Sequence, residues 1–371
     1  MKSRRKLWKA RCLSAASCFV LSACGGGEND ATLPPPTTTP PPPPAVSPLF
    51  APELRNLTVS EVETVIAQAV EEARARSTPA TIAVVDRVGN VLGVFVMNGA
   101  RATTQVREGP AGTPDTSLQG VDVPATLVAI SKAITGAYLS SGGNAFSTRT
   151  ASQIVQEHFP PAPTTAGLES GPLFGVQFSQ LPCSDLNTRF AMGGPGIGPQ
   201  RAPLGLAADP GGFPLYKDGF VVGGVGVITD DDYGFDPDTL DVDASDEEAI
   251  AWAATFGFEA PETIRANRIF VDGTALRFTD NDDAALVSAP ASAPAFAAIT
   301  GGVQGDLVDV TAYFDGATMG SVYAGTSYGA ESSGVRPATL AEYANTDIYV
   351  LADSDWFRRR PSEHKCQYSH I

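Results

Sequence analysis

The pair Asp218-Gly219 constrains the fold of this chain more than any other feature, because it stands between two apolar runs, residues 213–217 and 220–228, with nothing to spare on either side. An Asp-Gly pair accepts the positive backbone angles of a two-residue type I′ turn, so the flanking runs are expected to pair as antiparallel strands. The second run carries Gly223, Gly224 and Gly226 among its valines. Missing side chains let another group approach that strand's backbone closely, and the group is either a packed helix or a flat ligand. Any sheet of this kind needs a helix and not all need a ligand, which favours the helix; Gly223 and Gly224 remain candidate contacts for a cofactor.

The rest of the pattern alternates helix and strand. Thr58 and Ser60 are each followed three residues later by a glutamate, which is the capping-box spacing, and Val62, Val65, Ile66, Ala69, Val70 and Ala73 then recur at helical intervals. A helix over about 60–76 is predicted. Apolar runs at 81–85 and 91–97 flank Asp86-Arg87-Val88-Gly89-Asn90 and predict a hairpin of two buried strands. After a Gly/Pro/Thr-rich loop over about 99–122, Leu127, Ile130, Ile134 and Tyr138 line one side of a second helix. A shorter helix over about 148–158 follows Gly142-Gly143-Asn144 and stops before Pro160-Pro161. Residues 160–212, rich in Pro and Gly, read as a long loop insertion, and residues 246–256 as a closing helix.

This order resembles the GlcG/HbpS family, whose domains are called haem-binding or haem-degrading. The matching pieces are residues 83–92 with Asp86, Gly89 and Asn90, residues 130–135 with Lys132-Ala133, and residues 214–227 with Asp218-Gly219 and the glycines of the following strand. They span about 57–258. The resemblance implies an α+β domain over 51–258, with an antiparallel, roughly five-stranded sheet packed with helices and often assembled into homo-oligomers. It also implies haem or an iron-containing group as ligand, in redox or iron sensing.

The chain ends carry other signals. Lys2, Arg4, Arg5, Lys6, Lys9 and Arg11 precede an apolar segment that closes on Leu21-Ser22-Ala23-Cys24, a bacterial lipobox. Residues 1–23 are therefore expected to be a signal peptide and Cys24 a lipidation site, with export by either the general or the twin-arginine route. Gly25 stands where an inner-membrane retention signal would place Asp, which points to the outer membrane, facing the periplasm or the exterior. Residues 24–50, with Pro34 to Pro36 and Pro40 to Pro44, read as an extended tether. Beyond 258 the chain reads as a β-rich extension, with a hairpin around Asp272-Gly273 and short strands at 308–314 and 347–351. Its abruptly basic end suggests a sequence shorter than its longer relatives.

Acidic residues outnumber basic ones 41 to 25, a formal charge of -16, and loss of the leader would deepen it. Such a surface repels phosphate backbones, so nucleic acid is not an expected partner and the membrane is met through lipid. Cys183 and Cys366 remain free to pair as a disulfide or not. No GxSxG nucleophile motif occurs, and the 193–198 glycines lack the Lys-Ser/Thr of a phosphate-binding loop.

For a haem-type group the resemblance requires an apolar slot, an axial donor and cations for the propionates. His158 is the imidazole within the matched span; its plainer role is a cation at a helix C-terminus. Met97 and Met192 offer sulfur, although Met beside Val96 suits a strand core. Lys132 and Arg149 are the cations for propionates, or else solvated helix faces. The densest charge cluster runs from Asp230 to Glu248, and Asp230, Asp232, Asp236 and Asp238 are its candidate ligands for calcium or another hard divalent cation. No window in it matches an EF-hand; a solvated loop capped into a helix at Ser245 or Asp246 is the alternative. Three functions stay open: a haem- or iron-group-binding lipoprotein, a structural or adaptor lipoprotein without cofactor, and an enzyme acting on haem or a small hydroxy acid.

Overall fold

The structure is a computed structural model and describes residues 51–107, 120–167, 204–229, 232–238, 240–309, 320–344 and 348–351. Cys24, Cys183, Met192, Asp230, Cys366 and the tether lie outside the described residues. Helix α1 (Val59–Arg76) starts at the first of the two capping boxes. Thr58 Oγ1 accepts from the Glu61 amide at 3.2 Å and the Glu61 carboxylate accepts from the Thr58 amide at 2.8 Å, satisfying two donors that the helix start leaves unpaired.

Strands β1 (Thr81–Asp86) and β2 (Val91–Met97) form the first hairpin. Asp86 builds its turn: the carboxylate accepts from the Val88 and Asn90 amides at 3.0 and 2.9 Å and from the Asn90 side chain at 2.8 Å. Short strands β3 (Thr103–Gln105) and β4 (Asp122–Pro124) pair and lead into α2 (Ala125–Leu139). Helix α3 (Thr148–Ile154) ends earlier than its pattern predicts. The reason is Gln156, whose side-chain amide donates to the Ser152 carbonyl at 3.0 Å, where the next helical amide would have bonded, and to the Asp236 carbonyl at 3.2 Å.

Strands β5 (Gly212–Lys217) and β6 (Phe220–Ile228) meet at the predicted turn, with φ of 50° at Asp218 and 82° at Gly219. Helix α4 (Asp246–Ala254) follows, capped by Ser245. Strands β7 (Phe270–Val271) and β8 (Thr274–Ala275) pair around Asp272-Gly273. Strand β9 (Gly305–Leu307) comes next, and β10 (Val335–Pro337) pairs with β11 (Tyr349–Leu351). The chain is thus α+β, with a five-stranded antiparallel sheet in the order β5-β6-β1-β2-β9. Its fifth strand comes from the C-terminal extension, which also donates the Thr326 amide to Asp86 at 2.9 Å.

Both faces of that sheet are covered. Ile82, Val84, Val225 and Val227 pack with α1 and α4, whereas Ala83 and Val85 on the alternate positions pack with α2, so the central strand β1 is buried throughout. The group that approaches β6 is α2. A Cβ on Gly224 or Gly226 would stand 2.1 Å from the carbonyl oxygen of Ala133 or Ala129, and one on Gly223 would stand 2.1 Å from that of Val85 in β1. Protein backbone, chiefly the favoured helix, therefore fills the space at Gly223 and Gly224 that a cofactor would otherwise have taken. Met97 is buried in the core, as its strand position suggests. Among the described residues no helix is long and apolar enough to cross a membrane.

Candidate functional site

The first turn of α4 carries three consecutive acids, and each meets a cation from a different helix. Asp246 accepts from Arg76 of α1 at 2.9 Å, Glu247 pairs with Lys132 of α2, and Glu248 takes Arg149 of α3 through two bonds of 3.1 and 3.2 Å. A helix N-terminus favours negative charge, so one turn stitches three helices together. Glu247 and Glu248 are buried and not solvated, whereas Asp246 stays partly exposed.

Lys132 is fully buried. Its ammonium lies 2.5 Å from Asp209 and donates to the Pro210 carbonyl at 2.8 Å. Burial works against that charge, yet Asp209 and Glu247 outweigh it and raise the ammonium's pKa. Glu247 also accepts from the Thr229 amide at 2.6 Å and from its hydroxyl at 3.2 Å. Burial pushes the Glu247 carboxyl up to about 8 in spite of Lys132. Two carboxylates and one ammonium out of water carry a net negative charge, and a proton on Glu247 cancels it.

Arg149 is fully buried as well, and its Nη1 reaches Asp236 at 2.8 Å, Asp243 at 2.7 Å and Asp280 at 3.3 Å. Burial opposes its charge too, but the carboxylates, Glu248 foremost, raise its pKa. Neither cation is therefore a solvated helix face, and neither is free to meet a propionate.

Beside both pairs opens a cleft of about 440 Å3. The carboxylates of Asp209, Asp232, Asp236, Asp238, Asp241, Asp243 and Glu247 line it against one guanidinium, Arg107. Its wall at 232–238 is held rigidly: the Arg107 and Tyr233 backbones exchange bonds with neighbouring carbonyls at 2.8 Å, the Gly234 amide donates to Asp209 at 3.1 Å, and the Asp236 amide donates to Ser152 Oγ at 3.2 Å. Oxygens of Asp236, Asp241 and Asp243 lie within 4.8 Å of one another. That is the spacing at which three carboxylates can share one hard cation.

The structure thus gathers Lys132, Arg149, Asp232, Asp236 and Asp238 around one cleft, although in a different relation from the expected one. His158 stands apart: it is exposed, lies past the end of α3 and does not line the cleft. Lys132 and Arg149 are thus held by carboxylates, and Met97 is buried in the core. Asp209 emerges as a site residue outside the acidic cluster that the sequence marked, whereas Asp241, Asp243, Glu247 and Glu248 belong to that cluster although they were not among its candidate ligands. A cation on an otherwise apolar helix, as Lys132 is on α2, was the available hint that a buried acid must exist elsewhere.

No protein-family model matches the chain, and no curated protein matches it significantly. Among solved structures, protein ORFY of Klebsiella pneumoniae is 17% identical, covering 57% of this chain and 97% of its own, with a TM-score of 0.32. A PduOC–haem complex is 17% identical over 55% of this chain and 96% of its own, with a TM-score of 0.32. A double mutant of HbpS from Streptomyces reticuli is 19% identical over 58% and 98%, with a TM-score of 0.29. Likenesses at this level carry no argument about ligand or activity.

Proposed function

We propose that this chain is an extracytoplasmic binding protein, anchored by lipid on Cys24, that holds an iron group as a hard cation on the carboxylates of the acidic cleft. The observation that carries this reading is the convergence of Asp236, Asp241 and Asp243 within 4.8 Å. A cation supplies the charge the cleft lacks, whereas an anion would be repelled by its walls. Arg149 already holds Asp236 and Asp243 in place, and the exposed Asp241 supplies the third oxygen from the solvent side. Oxygen donors suit iron, manganese and calcium alike; the sequence resemblance supplies the preference for iron.

Equilibrium dialysis with ferric citrate, manganese and calcium tests the proposal. One ion per chain is expected, with uptake weakened at least tenfold in Asp241→Asn, a change at an exposed position that leaves the buried pairs intact. Absence of saturable uptake, or full uptake by Asp241→Asn, would reject it.

A second reading keeps haem itself as ligand, held between copies of the chain in a homo-oligomer. The exposure of His158 favours it, since an imidazole at the surface is accessible to a group shared with a second copy. Haem titration monitored by visible absorption is expected to give a shifted Soret band that disappears in His158→Ala. A chain that takes up neither haem nor cation is better described as an adaptor lipoprotein.

A further inference from the structure

The end of β1 far from the acidic cleft carries a charge without a counter-ion. At the near end Thr81 pairs with Ile228, beside the Thr229 that Glu247 holds; at the far end Asp86 opens the hairpin turn that carries Arg87. That turn is rigid. The Asp86 carboxylate is spent on the Val88, Asn90 and Thr326 amides and the Asn90 side chain, and Tyr138 Oη donates to the Val88 carbonyl at 2.8 Å.

Arg87 is half-buried, and its guanidinium lies over the ring of Tyr328, 5.3 Å from the centroid. Its Nη2 donates to the Ser140 carbonyl at 3.1 Å, just past the end of α2, where a cation is favoured. Among the described residues Arg87 makes no ion pair, whereas Arg76, Arg149, Arg277 and Arg336 each reach a carboxylate. Its Nε and Nη1 have no acceptor there, yet neither is sealed from solvent. Burial pulls the Arg87 pKa below the ordinary arginine value in spite of Tyr328, Tyr138, Tyr216 and Asp86 around it. A guanidinium fixed against a ring, with donors open to solvent, is suited to receive a planar oxyanion.

We infer that Arg87 anchors a binding site for a small monocarboxylate, received on the open donors of the guanidinium while Tyr328 holds that group in place. One cation in a chain of formal charge -16 offsets a single negative charge and not two, which selects a carboxylate over a phosphate. The site is separate from the cation cleft and does not depend on it. Propionate is the simplest probe of that chemistry, and propionamide has nearly the same shape without the charge.

Titration of the full chain with propionate, propionamide and inorganic phosphate, followed by NMR, provides the test. Propionate is expected to bind saturably at millimolar concentration, and propionamide and phosphate about tenfold more weakly. Arg87→Gln should weaken propionate binding by about tenfold as well. A readout on the unmodified chain covers the case in which that variant does not fold. The side-chain Nε–H signal of Arg87, assigned by its loss in Arg87→Lys, should move on addition of propionate and stay in place with propionamide. An Arg87 signal that propionate leaves unmoved would overturn the inference, as would undiminished binding to a folded Arg87→Gln. So would propionamide or phosphate binding as tightly as propionate, or no saturable binding at all.

Discussion

Replacing Lys132 by Met isolates what the buried cation does for the fold. The ammonium is fully buried, is paired with Asp209 at 2.5 Å and with Glu247, and donates to the Pro210 carbonyl. Removing one partner of a buried ion pair costs about 3–5 kcal/mol, because the other charge is left without compensation. Glu247, already pushed up to about 8 beside the ammonium, rises further without it and takes up a proton, so Asp209 is the charge left unpaired and a loss within that range is expected at pH 8. Against a total stability of about 5–15 kcal/mol for an ordinary domain, the variant would be folded but fragile.

The loss must depend on pH, and its sign follows from Glu247. With its carboxyl pushed up to about 8, the folded chain holds a proton that the unfolded chain releases in the ordinary carboxylate range, so this group stabilises at low pH and its contribution falls as pH rises toward 8. The raised pKa of Lys132 makes its own contribution full below the ordinary lysine range and lost only on further rise. Without Lys132, protonation is the remaining way to neutralise the buried acids. Urea unfolding of both chains at pH 5 and pH 8 should therefore show a loss of about 3–5 kcal/mol at pH 8 and a smaller one at pH 5. A loss below about 1 kcal/mol at pH 8, or one that is equal at the two pH values, would refute the argument that this cation is held for charge compensation.

Three further outcomes follow from the fold and the sequence. Gly224→Ala would place a methyl 2.1 Å from the Ala133 carbonyl, so α2 must retreat from β6; calorimetry should register a loss of about 3 kcal/mol, and an unchanged melting temperature would contradict the packing described. Thr58→Ala removes one half of the α1 capping box and should lower stability by about 1 kcal/mol in the same measurement. Cys24→Ser should abolish incorporation of labelled palmitate into the protein in cells, and equal labelling of the two forms would remove the lipid anchor from the proposal.

What could be read along the chain was whatever depends on neighbours in sequence. Asp218-Gly219 and Asp272-Gly273 turn where they were expected to, because the required positive φ is a property of those residues themselves. The Thr58 box caps α1 for the same local reason. The glycines of β6 also announced a close approach, and the apolar helix that follows the first hairpin is the one that makes it. By contrast, His158 looked like the end of a helix, until Gln156 captured the Ser152 carbonyl and turned its side chain toward the residue 236 loop.

Charge and cavity belong to tertiary structure alone. Glu247 and Lys132 are 115 residues apart, and Glu248 and Arg149 are 99, so no spacing rule relates them. An acid in an isolated stretch of sequence is most simply read as solvated; only when α4 docks against α2 and α3 does water leave and a partner become obligatory. The fifth strand has the same origin, since β9 pairs with β2 across some two hundred residues and short β pieces carry little signal of their own. Local conformation, the alternation of buried faces and the acidity of the surface were thus settled by the amino-acid order. Which carboxylates converge on one cleft was decided by long-range packing, because desolvation exists only once distant segments meet.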